Sequence, residues 1–102
     1  MAKKQYEIEK LIHERVRLLI ITHLASSDTE DVSFNTLQKE LQLTSGNLSV
    51  QLKKLSDADY VAIHKQFRDN KPLTTIRITG AGRNALDRYI LEMEQILQQL
   101  KS

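Results

Sequence analysis

A mostly helical α+β fold is predicted by three features of the sequence. Apolar residues recur at three- and four-residue spacings over residues 8–25, 35–42 and 45–58. The period drops to two over residues 60–79, and a second long helical pattern then fills residues 82–100. Spacings of three and four put side chains on one face of a helix, whereas alternation puts them on one face of a strand.

In the first helix, Ile8, Leu11, Ile12, Val16, Leu19, Ile20 and His23 form one stripe. Leu18, Ile21 and Leu24 lie off it, so the helix is apolar over more than one face and touches a second layer or a partner. Ser26 to Asp31 is a polar loop, and Val32-Ser33-Phe34 a short extended piece. Asn35 is positioned to cap a second helix of about two turns, with Leu37 and Leu41 inward. After the short Leu43-Thr44 connection, Thr44 or Ser45 caps a third helix whose inward stripe is Leu48, Leu52 and Leu55.

From Tyr60 the pattern alternates, with Val61, Ile63, Lys65 and Phe67 on one face and Ala62, His64, Gln66 and Arg68 on the other. Asp69-Asn70-Lys71-Pro72 is a turn signal, and Leu73 to Thr79 alternates again with Thr74, Ile76 and Ile78 together. The pair reads as a hairpin with a basic tip. In the last helix, about 30 Å long, Leu86, Ile90, Met93, Leu97 and Leu100 follow the a/d spacing of a coiled coil, widened by Tyr89 and Ile96. A seam at the end of so small a domain predicts a homodimer, with these seven residues as its dimerisation surface.

The chain of 102 residues has room for a single domain, residues 1–102, and its net charge of +2 is unevenly spread. Residues 44–83 carry seven Lys/Arg (Lys53, Lys54, Lys65, Arg68, Lys71, Arg77, Arg83) against Asp57, Asp59 and Asp69, a local excess of four positive charges. The remaining residues are slightly acidic. A basic middle in an acidic frame is the distribution expected where one face meets phosphate. Cysteine is absent, which excludes disulfides, thiolate metal sites and thiol redox sensing. The longest apolar run, Leu18 to Ile21, is far too short for a bilayer, and the start of the chain does not read as a signal peptide. A cytoplasmic protein with no membrane partner is expected.

Helix, short strand, helix, tight turn, helix, hairpin, helix is the element order of a winged helix-turn-helix domain with a C-terminal dimerisation helix. Turning Leu48, Leu52 and Leu55 inward turns Gly46, Ser49, Val50, Lys53, Lys54 and Asp57 outward, with Asn47 at the helix start. Such a face suits a major groove. Asn47 could bond adenine, Ser49 either partner, Val50 could meet a thymine methyl, and Lys53 or Lys54 could hold phosphate. Thr44 and Ser45 would add hydroxyl contacts, and Gly46 would let the backbone approach a phosphate at the helix N-terminus. Arg68, Asn70 and Lys71 would be the wing tip, and Arg83 a further phosphate contact. Taken singly, the helix face reads as an ordinary solvated surface and the tip as an ordinary polar turn; their succession in one basic segment favours DNA.

The segment Thr44-Ser-Gly-Asn-Leu-Ser-Val-Gln-Leu-Lys-Lys-Leu-Ser-Asp-Ala-Asp-Tyr-Val resembles the recognition-helix region of MarR/ArsR-like winged-helix regulators. Ile78-Thr-Gly-Ala-Gly-Arg-Asn-Ala-Leu resembles the stretch leading from their wing into the last helix. The resemblance covers residues 10 to 95 in element order and implies a dimeric DNA-binding regulator, usually a repressor, with Thr44 to Lys54 in the major groove. Two departures stand out. The glycine often found before the first wing strand is Asp59 here, and the cysteine metal ligands of ArsR-type proteins are absent, so metal sensing is not implied.

Gly80-Ala-Gly-Arg-Asn-Ala also matches a G-x-G-x-x-A dinucleotide fingerprint after a strand. That site needs a further strand and an acidic residue beyond the helix, which the sequence does not supply, so capping by Thr79 and the glycines is the better account. His13, His23 and His64 lack the spacing of a helical zinc site, and no nucleophile, base and acid can be grouped. No enzyme, cofactor or metal is therefore expected. The partners are double-stranded DNA and a second copy of the chain, with room for a small-molecule effector that no residue specifies. Sequence-specific regulation stands first; an architectural DNA-coating protein and a protein-interaction module that has lost DNA binding are the alternatives.

Overall fold

The computed structural model describes residues 9–102. In chain order it contains α1 (Arg15–Ser26), β1 (Val32–Ser33), α2 (Phe34–Leu41), α3 (Ser45–Asp57), β2 (Val61–Arg68), β3 (Lys71–Ile78) and α4 (Gly80–Lys101). The three strands form one antiparallel sheet in the order β1-β3-β2.

α1 begins well after residue 8, where the apolar pattern placed its start. The extended Glu14 ends the preceding turn, and its carboxylate accepts the N–H groups of Val16 and Arg17, both at 3.0 Å. These are among the donors that a helix start leaves without intrahelical partners. Upstream, the His13 N–H donates to the Glu9 carbonyl at 2.8 Å, closing a separate turn that buries Ile12 completely. Apolar periodicity therefore runs on through a turn that is not part of the helix. Ile8 lies outside the described residues.

The inward face of α1 also differs from the expected stripe. Ile20, Ile21 and Leu24 are buried, whereas Leu19 is 38% exposed. The spacing puts Ile21 and Leu24 off the core stripe. With nearly every position apolar from Leu18 to Ile21, spacing alone cannot select the buried arc; packing against α2, α3, α4 and β3 does.

α2 is capped by Ser33, whose hydroxyl accepts the Thr36 N–H at 3.0 Å, and not by Asn35, which is already helical. Its other end closes on Gln42 at φ 54°, with the Leu43 N–H returning to the Gln38 carbonyl. Thr44 caps α3 through the Asn47 N–H at 3.1 Å. Leu48, Leu52 and Leu55 are buried as the spacing predicts.

The hairpin register runs from Val61 opposite Ile78 to Arg68 opposite Lys71. Its loop is only Asp69-Asn70, with φ of 52° and 63°, and Lys71 and Pro72 already belong to β3. Two consecutive left-handed residues are what a tight hairpin turn of matching twist requires, and Asp and Asn tolerate that conformation best after glycine. On the inner face Val61, Ile76 and Ile78 join the core; further out the same face becomes solvent-exposed, so that Phe67 is 78% exposed.

Asp59, the departure noted before the first wing strand, has φ 61°. The backbone keeps the conformation glycine would take, and the Thr79 hydroxyl donates to the Asp59 carbonyl. Asp59→Gly should accordingly raise stability by about 0.5–1 kcal/mol, read as a higher urea midpoint; a lower midpoint would show that the Asp side chain supports this turn.

Candidate nucleic-acid interface

α2 and α3 are held at their corner by the Gln42 left-handed cap, Leu43 and the Thr44 cap, three residues that leave no slack between the helices. Burial of Leu37 from α2 and of Leu48, Leu52 and Leu55 from α3 orients the opposite side of α3 outward. Thr44, Ser45, Gly46, Asn47, Ser49, Val50, Lys53 and Lys54 are all exposed there. An added Cβ at Gly46 would meet nothing within 4 Å, so the fold itself does not demand glycine at this helix start.

The cations on this face are not equivalent. Lys53 Nζ lies 3.2 Å from the Asp57 carboxylate, one turn along α3. Lys54 sits on the side toward Glu14. Burial acts to raise the Glu14 pKa, but the N–H groups of Arg17 and Val16, with the charges of Arg17 and Lys54, outweigh it and hold the carboxyl below its ordinary value. Exposed pairs of this kind contribute little to stability and exchange readily for phosphate.

A groove of about 530 Å³ separates α3 from the hairpin. Ser49, Lys53 and Ser56 line one wall, Ile63, Lys65 and Thr74 the other, and Leu52 contributes apolar surface. Lys65 is a further cation at this site. Alternation had placed it on the face of Val61 and Ile63, so its position opposite α3 was available in the pattern. At the tip, Arg68, Asn70 and Lys71 are exposed, and Arg83 is exposed on the first turn of α4.

Arg77 does not belong with these cations, although it lies in the basic segment. It points to the other face of the hairpin, where Nε and a terminal nitrogen meet the two Asp31 oxygens at 3.0 and 3.1 Å and a second terminal nitrogen reaches Glu30 at 3.0 Å. The Arg77 hydrogen bonds depress the Asp31 pKa. A carboxylate lowered in the folded state contributes stability above its unfolded pKa and loses it as pH falls through the folded value. Arg77→Gln should therefore flatten the acid side of the stability profile, compared by urea melts at pH 6 and pH 3; an unchanged profile would rule out this pair as its source.

The structure splits the terminal seam. Leu86 and Tyr89 are 8% exposed and pack into the core of their own chain, and the Tyr89 hydroxyl meets His13 Nδ1 at 2.9 Å. Met93 is partly buried against that core. Ile90, Leu97 and Leu100 are exposed at 44, 48 and 79%, and Ile96 is half-buried. Of the two fingerprint glycines Gly82 serves packing: a Cβ on it would lie 2.2 Å from the Tyr60 carbonyl oxygen, and its N–H completes the Thr79 cap at 3.0 Å.

Arg17 and Gln51 join the site only in the folded chain. The Arg17 side chain, 13% exposed, donates from Nε to the Leu11 carbonyl and from a terminal nitrogen to Gln51 Oε1 at 2.7 Å. Gln51 Nε2 in turn donates to Asn47 Oδ1 at 3.2 Å. No short-range pattern pairs residues 17 and 51; only the packing of α1 on α3 does.

A helix-turn-helix with an exposed second helix, followed by a basic hairpin, defines a DNA-binding domain with a wing. The chain belongs to the winged helix DNA-binding domain family, whose model matches residues 16–97. It is 35% identical over 92 residues to an uncharacterized protein of Methanocaldococcus jannaschii, covering 90% of this chain and 98% of that one. Among solved structures it is similar to a transcriptional regulator homologue from Pyrococcus horikoshii, with a TM-score of 0.80 and 26% identity over 91% of this chain and 90% of that one. MepR of Staphylococcus aureus, solved with DNA, shares the fold at a TM-score of 0.72 and 16% identity, covering 91% and 74% of the two chains. Further structural neighbours include an ArsR family transcriptional regulator. Fold and family thus mark a winged-helix DNA-binding domain, and the proteins of solved structure that share its fold include transcriptional regulators. No helix among the described residues is long and apolar enough to cross a membrane.

Proposed function

We propose that this protein is a cytoplasmic homodimer that binds specific double-stranded DNA sites and represses transcription there. The observation that carries the proposal is the exposed face of α3 from Thr44 to Lys54, with the Lys53/Lys65 groove on its flank and the Arg68/Lys71 tip beyond. In this reading Asn47, Ser49 and Val50 meet base edges, while Thr44, Ser45, Gly46, Lys53, Lys54 and Arg83 hold the backbone. Asn70 stands between the two tip cations as they reach the neighbouring groove or its phosphates. Two copies joined through α4 would set their recognition helices about 34 Å apart, one DNA turn, and so read a roughly palindromic site. Occupation of such a site by two compact domains is enough to exclude other proteins from it.

The test is titration of the purified protein against its own upstream region and a pool of random duplexes at two salt concentrations. A regulator binds the upstream DNA with two chains and on the order of a thousandfold more tightly than the pool. Equal binding that collapses with salt would instead identify an architectural protein, and no binding to either a protein-interaction module. Lys53→Ala with Lys54→Ala should weaken binding to every duplex by a similar factor and reduce the salt slope by about two; unchanged affinity would exclude α3 as the contact.

A further inference from the structure

Arg17, Gln51 and Asn47 form a chain of hydrogen bonds that runs from the half-buried side of α1 to the exposed start of α3. Its direction follows from chemistry alone. A guanidinium has five donors and no acceptor, so Gln51 must present Oε1 to Arg17. Gln51 then has only its amide nitrogen to offer on the other side, and Asn47 must answer with Oδ1. The remaining Asn47 group, Nδ2, is a donor. Arg17 is itself held on a second side, through Nε to the Leu11 carbonyl at 2.6 Å and beside Glu14, so it cannot turn to release the chain without losing those bonds.

We propose that Arg17 and Gln51 are positioning residues that fix Asn47 as a hydrogen-bond donor toward DNA, so that it favours the acceptor edge of guanine over the mixed donor and acceptor edge of adenine. The proposal rests on the placement of α3 in the major groove. It also reverses the adenine contact that an isolated asparagine would suggest. The bidentate adenine contact turns both Oδ1 and Nδ2 to the base, so Oδ1 would have to share its two lone pairs between the base and Gln51. Guanine presents two adjacent acceptors, N7 and O6, and asks only for donors. Neither Arg17 nor Gln51 needs to touch DNA for this preference to exist.

Selection from a randomised duplex library, followed by sequencing of the bound fraction, gives the base preference at every position. The position belonging to Asn47 is the one whose preference Asn47→Ala abolishes. Wild-type protein should select guanine there. In Gln51→Glu the carboxylate still accepts from Arg17 but offers no donor, so Asn47 must turn its nitrogen inward and its oxygen outward. Preference at that position should then shift by about tenfold toward adenine or cytosine, whose exocyclic amines donate, while the rest of the site is unchanged. Arg17→Met frees Gln51 and should lower the guanine-to-adenine ratio at the same position; Gln51→Glu, which leaves the α1 anchor intact, decides alone if Arg17→Met melts early.

A merely structural role for the chain would lower affinity for all sequences equally and move no base preference. Adenine selected by the wild type at the Asn47 position, or a Gln51→Glu profile identical to wild type, would overturn the relay while leaving the regulator intact. A wild-type protein that selects no sequence overturns both.

Discussion

Gly82→Ala should lower the melting temperature by on the order of 15 °C, corresponding to about 3 kcal/mol or more in a domain of this size. The expected cause is local. The new methyl would lie 2.2 Å from the Tyr60 carbonyl oxygen and 3.0 Å from Ile78 Cγ1. The oxygen is backbone and is already engaged by the Thr79 N–H at 3.1 Å, so it cannot swing aside as a flexible side chain would. Relief would require α4 to lift from the junction of α3 and β2, uncovering Ala85 and Leu86 on the next turn. Gly80→Ala is the internal control, because a Cβ there meets nothing within 4 Å and should change stability by less than about 1 kcal/mol. Thermal melts of the two variants separate close packing from any general intolerance of side chains in this glycine pair. Equal melting temperatures for both would mean that the α4 junction is looser than its contacts indicate.

Ile90→Asp combined with Leu97→Asp should produce a folded monomer whose affinity for a specific site is at least a hundredfold weaker. Both residues lie on the exposed stripe of α4, at 44 and 48% exposure, clear of the fully buried core. Charge at these positions would be solvated in a monomer but buried in a helix-on-helix interface, where an unpaired carboxylate costs several kcal/mol. The loss in DNA affinity follows from linkage: two recognition helices on one rigid dimer bind as a single ligand, whereas separate monomers must each meet the cost of association. Sedimentation and DNA titration on the same samples read the two effects together. A variant that remains dimeric, or a wild type that is monomeric at micromolar concentration, would refute the α4 interface. Leu86 and Tyr89 are unsuitable for this test because they are buried in their own chain, and their substitution would unfold the monomer as well.

The elements were legible in the sequence because two periods, 3.6 and 2, are imposed by backbone geometry whatever the surroundings. The inward leucines of α3, the two hairpin faces and the Thr79 cap all follow from spacing or local hydrogen bonding between neighbours. So does the outward set from Thr44 to Lys54, since fixing one face of a helix fixes the other. The start of α1 and its buried arc were not legible. Glu14 interrupts an apolar pattern that continues on both sides of a turn, and the apolar run from Leu18 to Ile21 covers a full turn of helix and so gives no polar side there to orient it. The cap of α2 shifted from Asn35 to Ser33 because both residues can cap, and pairing of Val32 and Ser33 with β3 keeps Ser33 extended.

What the sequence by itself determined is the order of elements, the segregation of basic residues into the middle of the chain and the identity of the exposed face of α3. These depend on residues within a few positions of one another. Only the tertiary structure decided which charges remain available and which side chains act together. It withdrew Arg77 into a cluster with Glu30 and Asp31, put Lys65 across a groove from Lys53, and divided the α4 seam between core and surface. It also joined Arg17 to Gln51 across 34 positions of sequence. Partners so far apart in the chain meet only when packing brings their helices together, because local spacing carries no information about which of several apolar faces will touch.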